Sequence, residues 1–312
     1  MQRARGIRIE WDELPLRVRG AIEGRLRGRV VEARNQSGGF SPGMAARVRT
    51  EDGQRVFLKA LSPEQNPNAP DFHRREGYIA AALPAEAPVS RLLWMHDEGE
   101  GGWVVLAFED IDGQLPALPW RREELERVVA AIASMHQALT PCPVDVPPVG
   151  QNITNGLNGW QHLRSDAPGL DVWSRRHLDT LVRLEAAAPG AAAGETLLHF
   201  DLRADNILLT PDRVVIVDWP WAAVGAAWVD MVGMAPSVRL EGGPDPAQFF
   251  AMHPAARSAD AWKVDAVLAT FAGFFTFNSL QPAPLGLPTL RAFQAAQGDI
   301  ARRWLALRLD LD

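Results

Sequence analysis

Apolar residues in the first third of the chain recur at strand spacing. Val30 to Ala33, Ala46 to Arg49 and Arg55 to Ala60 read as strands, the last two joined by the turn Glu51-Asp52-Gly53. Val89 to Trp94 and Trp103 to Phe108 read as two more, around the charged turn Asp97 to Gly101. Two stretches have a helical period. Asp12 to Gly24 repeats Leu14, Val18 and Ile22 behind a possible Asp12 cap, and Asp71 to Leu83 stops before Pro84. After the breaker-rich run from Asp112 to Pro119 the period changes. Arg121 to Leu139 and Arg175 to Ala187 are helical in pattern. Leu197 to Leu209 and Arg213 to Val217 are short apolar strands around a polar loop. The remainder is mostly helical, with a Pro/Gly-rich interruption from Gly233 to Pro246.

This order predicts an α+β fold of two lobes. Residues 1–110 would build an antiparallel sheet with one or two helices, and residues 111–312 a larger, mainly helical lobe. A chain of 312 residues is long enough to give each lobe its own core. A cleft between two such lobes is a common ligand site.

Charge narrows the partners. The formal net charge is −6 and the pI about 5.7, so the chain lacks the basic surface a nucleic-acid partner needs. One cysteine, Cys142, allows no intrachain disulfide, which fits a reducing compartment. The basic start from Met1 to Arg8 is not followed by an apolar run. The most apolar segment, Val267 to Phe277, is too short to span a bilayer and reads as a buried helix. The expectation is a cytoplasmic protein with no membrane partner.

The densest chemistry lies in the run Leu198-His199-Phe200-Asp201-Leu202-Arg203-Ala204-Asp205-Asn206-Ile207-Leu208-Leu209, followed by Val215-Ile216-Val217-Asp218-Trp219. A polar loop carrying His, Asp and Asn sits between apolar strands, and a second strand delivers Asp218 at its end. Catalytic groups concentrate on loops held by rigid elements. Phosphoryl transfer needs a carboxylate to orient and deprotonate an acceptor hydroxyl, and oxygen ligands for Mg2+. Asp201, Asn206 and Asp218 supply that set. Taken singly, each would read as a turn residue.

Lys59 sits in the apolar strand Val56-Phe57-Leu58-Lys59-Ala60-Leu61. The chain has only two lysines, Lys59 and Lys263; its other basic residues are arginine. Choosing lysine here points to a need for a compact charge, which a phosphate-binding residue meets. A snorkelling edge-strand lysine is the structural alternative. Before it, Ser37-Gly38-Gly39-Phe40-Ser41-Pro42-Gly43 could bring backbone N–H groups to phosphates, although no Gly-Lys-Ser/Thr follows.

The pattern His199-x-Asp201-x-x-x-x-Asn206, an apolar strand and then Asp218 resembles the aminoglycoside phosphotransferase family. Choline, homoserine and fructosamine kinases, and more distantly protein kinases, share it. The resemblance runs from the Gly-rich loop to Asp230. It implies a bilobal, protein-kinase-like fold and an ATP- and Mg2+-dependent small-molecule kinase, with GTP as an alternative donor. Asp201 would be the catalytic base, and Asn206 and Asp218 the metal ligands. His199 would be structural, and Asp230 would hold the catalytic loop by hydrogen bonds. Ser37, Gly38, Gly39 and Phe40 would form the nucleotide loop. Lys59 would pair with Glu76 of the following helix. Phe108, Glu109 and Ile111 would form the adenine-binding hinge, through backbone groups of Glu109 and Ile111 with Phe108 shaping the pocket.

The family loop often reads His-Gly-Asp-Leu-His-Pro-Gly-Asn. Here Phe200, Arg203, Ala204 and Asp205 depart from it, which touches acceptor choice more than the chemistry. Trp219 follows the metal Asp where protein kinases carry Phe, and no Ala-Pro-Glu segment follows. The acceptor implied is the hydroxyl of a small molecule, first an aminoglycoside-type antibiotic, with an amino-alcohol or sugar metabolite as rival. By position, Trp221, Glu241, Asp245 and Met252 to Asp260 are acceptor-site candidates. A catalytically silent nucleotide-binding module is the second reading, and a metal-dependent hydrolase using Asp201, Asp205 and Asp218 the third. The hydrolase leaves Lys59 and the hinge without a role.

Overall fold

The computed structural model describes residues 8–36, 43–64, 69–165, 169–284 and 287–311. The N-terminal lobe is built on a five-stranded antiparallel sheet of β1 (Val30–Asn35), β2 (Met44–Thr50), β3 (Arg55–Leu61), β4 (Leu92–Asp97) and β5 (Val104–Glu109), in the order β1-β2-β3-β5-β4. Helix α1 (Leu16–Leu26) precedes the sheet, and α2 (Ala69–Ala82) joins β3 to β4.

Both faces of the sheet are covered, and this explains the continuous apolar run in β5. Trp103, Val105 and Ala107 join Leu14, Val18 and Ile22 in one cluster. The alternate residues Val104, Leu106 and Phe108 pack with Ala80 of α2 on the other face. A strand buried on both sides loses the apolar–polar alternation of a half-exposed one. The edge strand β4 keeps it, with burial alternating residue by residue.

The C-terminal region is helical: α3 (Arg122–Ala138), α4 (Val149–Gly156), α5 (Gly159–Ser165), α6 (Val172–Arg176) and α7 (Leu178–Ala191) come first. Short strands β6 (Thr196–Leu198), β7 (Ile207–Leu209), β8 (Val214–Ile216) and β9 (Ala223–Gly225) follow, pairing as β6–β9 and β7–β8. Then come α8 (Trp228–Leu240), α9 (Pro246–Ala251), α10 (Ala261–Ser279) and α11 (Leu290–Leu309). Trp160, Phe249 and Ile132 are among its fully buried side chains.

Backbone bonds stitch the sheet to the β7–β8 hairpin. Ile216 N–H donates to Pro88 O (2.8 Å) and Ser90 N–H to Ile216 O (3.4 Å). Gln114 and Leu209 exchange N–H···O bonds of 2.9 and 2.7 Å. The chain on both sides of the β4–β5 hairpin is therefore tied to the strands that frame the polar loop.

Three local expectations change. Asp12 is not the cap of α1: Pro15 holds that position and Asp12 pairs with Arg19 at 3.1 Å. The strand expected at Val89 to Trp94 begins at Leu92, because Val89 bridges Ile216 instead. The interruption expected from Gly233 does not occur before Leu240, and α8 runs through Pro236. A proline inside a helix costs about 3 kcal/mol. Nearly every residue of α8 from Trp228 to Val238 is buried, and that packing outweighs the penalty.

Candidate active site

Lys59 and Glu76 meet because β3 leads into α2. The chain places Glu76 on the face of α2 turned to the sheet, where it is 2% exposed. Lys59 Nζ donates to Glu76 Oε1 at 2.6 Å and to Asp218 Oδ1 at 2.6 Å. The Phe108 ring lies under the same ammonium, its centroid 5.9 Å from Nζ.

One cation thus stands between two carboxylates. Burial alone would lower the Lys59 ammonium, but Asp218 and Glu76 reverse this and hold it above the usual lysine range. Burial would raise Asp218, yet the contact with Lys59 takes it down to about 2. Glu76 is pushed up to about 7 by burial, with Lys59 opposing. Asp218 therefore keeps the charge more firmly than Glu76.

The loop from His199 to Asn206 is held from below. Asp230, in the first turn of α8, accepts from His199 N–H at 2.9 Å with Oδ2 and from Phe200 N–H at 2.8 Å with Oδ1. His199 is fully buried. Its Nδ1 accepts from Asp201 N–H (3.2 Å), so the proton is on Nε2, which donates to Val217 O at 2.9 Å. These bonds lock the loop that carries Asp201 to the strand end that carries Asp218. Phe200 and Asp218 adopt the left-handed region, with φ of +64° and +75°. Such conformations cost a side-chain-bearing residue of order 1–3 kcal/mol and cluster at functional sites.

Asn206 donates Nδ2–H to Asp201 O at 2.8 Å, which leaves its Oδ1 as an acceptor. Burial raises the Asp201 carboxyl, and Arg203 opposes the rise. Arg203 Nη1 is 3.8 Å from Asp201 Oδ1, while Nε and Nη2 make a two-point pair with Asp205 at 3.0 and 2.9 Å. Arg203 and Asp205, the two charged departures from the common loop, thus form one ion pair beside Asp201.

A cavity of about 630 Å3 opens here, lined by Glu76, Asp201, Asp218 and Asp230 together with residues of α4, α10 and α11. Trp221 lines it, as expected by position. Glu241 and Asp245 do not: Glu241 accepts from Trp120 Nε1 at 3.2 Å, and Asp245 pairs with Arg239. Met252 to Asp260 lie outside it too, because His253 turns inward to His136.

Glu109 and Ile111 sit at the end of β5, away from the cavity lining; Glu109 N–H donates to Arg91 O at 3.0 Å. Ser37, Gly38, Gly39 and Phe40 lie outside the described residues. Sequence reading missed His73, three residues before Glu76 on the same helix face, and that spacing was the available signal. His73 lines the cavity, and burial, then Lys59, lowers its imidazole to about 3.

The donor set suits a nucleotide-borne cation. Asp218 spends Oδ1 on Lys59, leaving Oδ2, and Asn206 Oδ1 is also available. Two such oxygens fit Mg2+, which takes its other ligands from phosphates and water. Among the described residues no group of three or more His, Cys, Asp or Glu could hold a metal without such help. Among them, too, no helix is long and apolar enough to cross a membrane.

The model of the phosphotransferase enzyme family, APH, matches residues 34–266. A comparison with curated proteins gives no match. Solved structures align along nearly the whole chain. An aminoglycoside phosphotransferase from Alicyclobacillus acidocaldarius subsp. acidocaldarius DSM 446 is 16% identical, with a TM-score of 0.56, covering 90% of this chain and 92% of its own. Choline kinase LicA from Streptococcus pneumoniae is 13% identical, with a TM-score of 0.61, covering 93% and 98%. A thermostable mutant of aminoglycoside phosphotransferase APH(4)-Ia, in ternary complex with AMP-PNP and hygromycin B, is 14% identical, with a TM-score of 0.59, covering 92% and 98%. At these identities the likeness shows the fold, which is kinase-like.

Proposed function

Since the chain belongs to the phosphotransferase enzyme family, we propose that it moves the γ-phosphoryl group of ATP to a hydroxyl of a small molecule. The observation that carries this reading is Lys59 Nζ at 2.6 Å from both Glu76 and Asp218, beside a loop presenting Asp201 and Asn206. We divide the chain at residue 110 into a nucleotide-binding lobe and a catalytic, acceptor-binding lobe. The nucleotide would lie against Lys59, Phe108, Glu109 and Ile111, and Ser37, Gly38, Gly39 and Phe40 are assigned to it from the sequence alone. GTP is an alternative donor, decided by the hinge.

Asp201 accepts the proton of the acceptor hydroxyl as its oxygen bonds to the γ-phosphorus. The bond from that phosphorus to the β,γ-bridging oxygen breaks, and ADP leaves. Burial favours this transfer by raising the proton affinity of Asp201. Asn206 and Asp218 would hold Mg2+, which neutralises phosphate charge when bound. Lys59 would keep Glu76 and exchange Asp218 for phosphate oxygen. Arg203, 3.8 Å from Asp201, would stabilise the charge beside that carboxylate and contact the moving group. The single cysteine, and the need for intracellular ATP, support a cytoplasmic site of action.

The test is Asp201→Asn. Isothermal titration with AMP-PNP and Mg2+ should give wild-type affinity, while ADP formation in the presence of a proven acceptor falls by at least about a hundredfold. Turnover near the wild-type rate would remove Asp201 from the role of base. Mg2+-dependent ATP binding without transfer to any acceptor would favour a silent nucleotide-binding module.

A further inference from the structure

The part of the cavity that would receive the acceptor is aromatic and amide-lined. On α10, Phe271, Phe274 and Phe275 share one face at i, i+3 and i+4. On α11, Leu290, Phe293, Gln294 and Gln297 repeat the same spacing. Phe72 of α2 and Trp221 add two rings, with centroids 4.8 Å apart. The wall is tightly built: a Cβ on Gly233 of α8 would come within 2.9 Å of the Phe271 ring.

The carboxylates of this lining are all committed. Glu76 and Asp218 share Lys59. Asp230 serves His136 and the two loop amides. Asp201 is the base of the proposed reaction. Among the described lining residues none is left over to face an acceptor ammonium, and Arg203 adds a cation. Ring faces can hold one ammonium, but a polyammonium sugar needs acceptors for many N–H groups at once, and burying those without carboxylates is strongly unfavourable.

The amides offer something different. Gln297 is 4% exposed, lines the cavity, and its side chain makes no hydrogen bond among the described residues. Gln294 is 8% exposed; its Oε1 accepts from Arg291 at 2.8 Å, and its amide hydrogens have no partner among those residues. Asn152, half-buried, and Asn155, exposed to solvent, stand at i and i+3 on α4 and add amides at the rim of the cavity. The free polar atoms of Gln294 and Gln297 are not sealed inside protein but open onto the cavity, where a bound molecule can take the place of water on them. Rings and amides together recognise an uncharged molecule with apolar surface and polar groups.

We propose, resting on the phosphotransferase reading above, that the acceptor is a neutral, hydroxyl-bearing molecule with an aromatic or aliphatic body, bound through Gln294 and Gln297, and not a polyammonium sugar.

The probes are neutral aryl alcohols, among them chloramphenicol and 4-nitrobenzyl alcohol, against kanamycin as polyammonium and choline as a single quaternary ammonium. Calorimetry is run on the full chain with and without Mg2+ and AMP-PNP. At least one neutral alcohol should bind about tenfold or more tightly than kanamycin and choline. Gln297→Leu should weaken that alcohol about tenfold and leave AMP-PNP affinity unchanged. Gln297→Glu should shift preference toward kanamycin. The inference is overturned if kanamycin or choline binds more tightly than every neutral alcohol, if no neutral alcohol binds, or if Gln297→Leu changes nothing. Failure to bind AMP-PNP would instead sink the phosphotransferase reading, and the alcohol-to-kanamycin ratio without nucleotide would still judge the acceptor class.

Discussion

His136 Nε2 lies 3.0 Å from Asp230 Oδ2, in a fully enclosed site under the catalytic loop. The contact continues outward. Ala255 N–H donates to His253 Nδ1 at 3.1 Å, so His253 carries its proton on Nε2, which donates to His136 Nδ1 at 3.2 Å. His136 in turn donates from Nε2 to Asp230. A chain of bonds thus runs from the turn at Pro254–Ser258 through α3 to the backbone of His199 and Phe200. Removing its centre should be costly. Asp230→Ala orphans two buried N–H groups and the His136 donor, and each unsatisfied group costs about 1–3 kcal/mol. We expect a loss of about 3–5 kcal/mol in urea unfolding, with turnover lost as well. A change below about 1 kcal/mol would show that the carboxylate is not needed to hold the loop.

The same chain makes stability depend on pH. Burial, then His136, lowers His253 from 6.5 to about 4. Between those values the unfolded chain binds a proton that the folded chain refuses. Stability therefore falls as pH falls through this window, and the loss is complete below about pH 4. With solvent screening the contribution is on the order of 1–2 kcal/mol. Glu76 titrates in the opposite sense nearby, since burial raises it to about 7. The informative quantity is the difference between wild type and His253→Asn. Urea unfolding at pH 4.5 and pH 7 should show a smaller acid loss in the variant; equal losses would place the titration elsewhere.

Much of the candidate site was legible because it is local. His199, Asp201, Asn206 and Asp218 lie within one strand–loop–strand unit, and Lys59 stood out by residue choice in an arginine-rich chain. The partner of Lys59 followed from strand-to-helix order. Its second partner did not: Asp218 is 159 residues away, and no periodicity encodes that approach. His136 and His253 were hidden for a related reason. A buried polar residue on a helix, as His136 is, looks in sequence like part of the solvated face, and one in a connector, as His253 is, looks like an ordinary loop residue. The acceptor cavity was the least legible part. It is assembled from α4, α10 and α11, whose facing residues are brought together only by helix packing. Acidic residues were sought there, and the fold directs Glu241 and Asp245 to other partners.

Lys59 and Glu76 should separate structure from function. Lys59→Met leaves two carboxylates facing each other with no cation, and breaking a buried pair costs about 3–5 kcal/mol. Adding Glu76→Gln removes one of the uncompensated charges. We expect the double variant to regain at least about half of the lost stability in a double-mutant cycle. AMP-PNP affinity, which needs the ammonium itself, should stay at least about tenfold weaker in both variants. If the double variant binds nucleotide normally, Lys59 is a structural residue.

Arg203 should set the pH range of turnover. Its guanidinium, 3.8 Å from Asp201, opposes the rise that burial imposes on that carboxyl. Arg203→Met removes the opposition, so the acid limb of kcat/KM should move to higher pH and activity on that limb should drop. An acid limb that stays in place would mean that Asp205 already neutralises Arg203 fully through their two-point pair.

Phe200 offers a test of the strained loop. It holds φ of +64°, which glycine adopts freely, and the family loop often carries glycine there. Phe200→Gly would relieve about 1–2 kcal/mol of backbone strain. It would also lose the contact with Phe271, whose ring centroid is 5.9 Å away, and would add chain entropy to the unfolded state. These effects oppose one another, so unfolding free energy should change by less than about 1 kcal/mol. Acceptor binding should not be spared, because Phe200 itself lines the cavity. Affinity for a neutral aryl alcohol should fall several-fold while AMP-PNP affinity holds. A large stability loss would mean that the Phe200 ring, rather than the Asp230 carboxylate, fixes the loop.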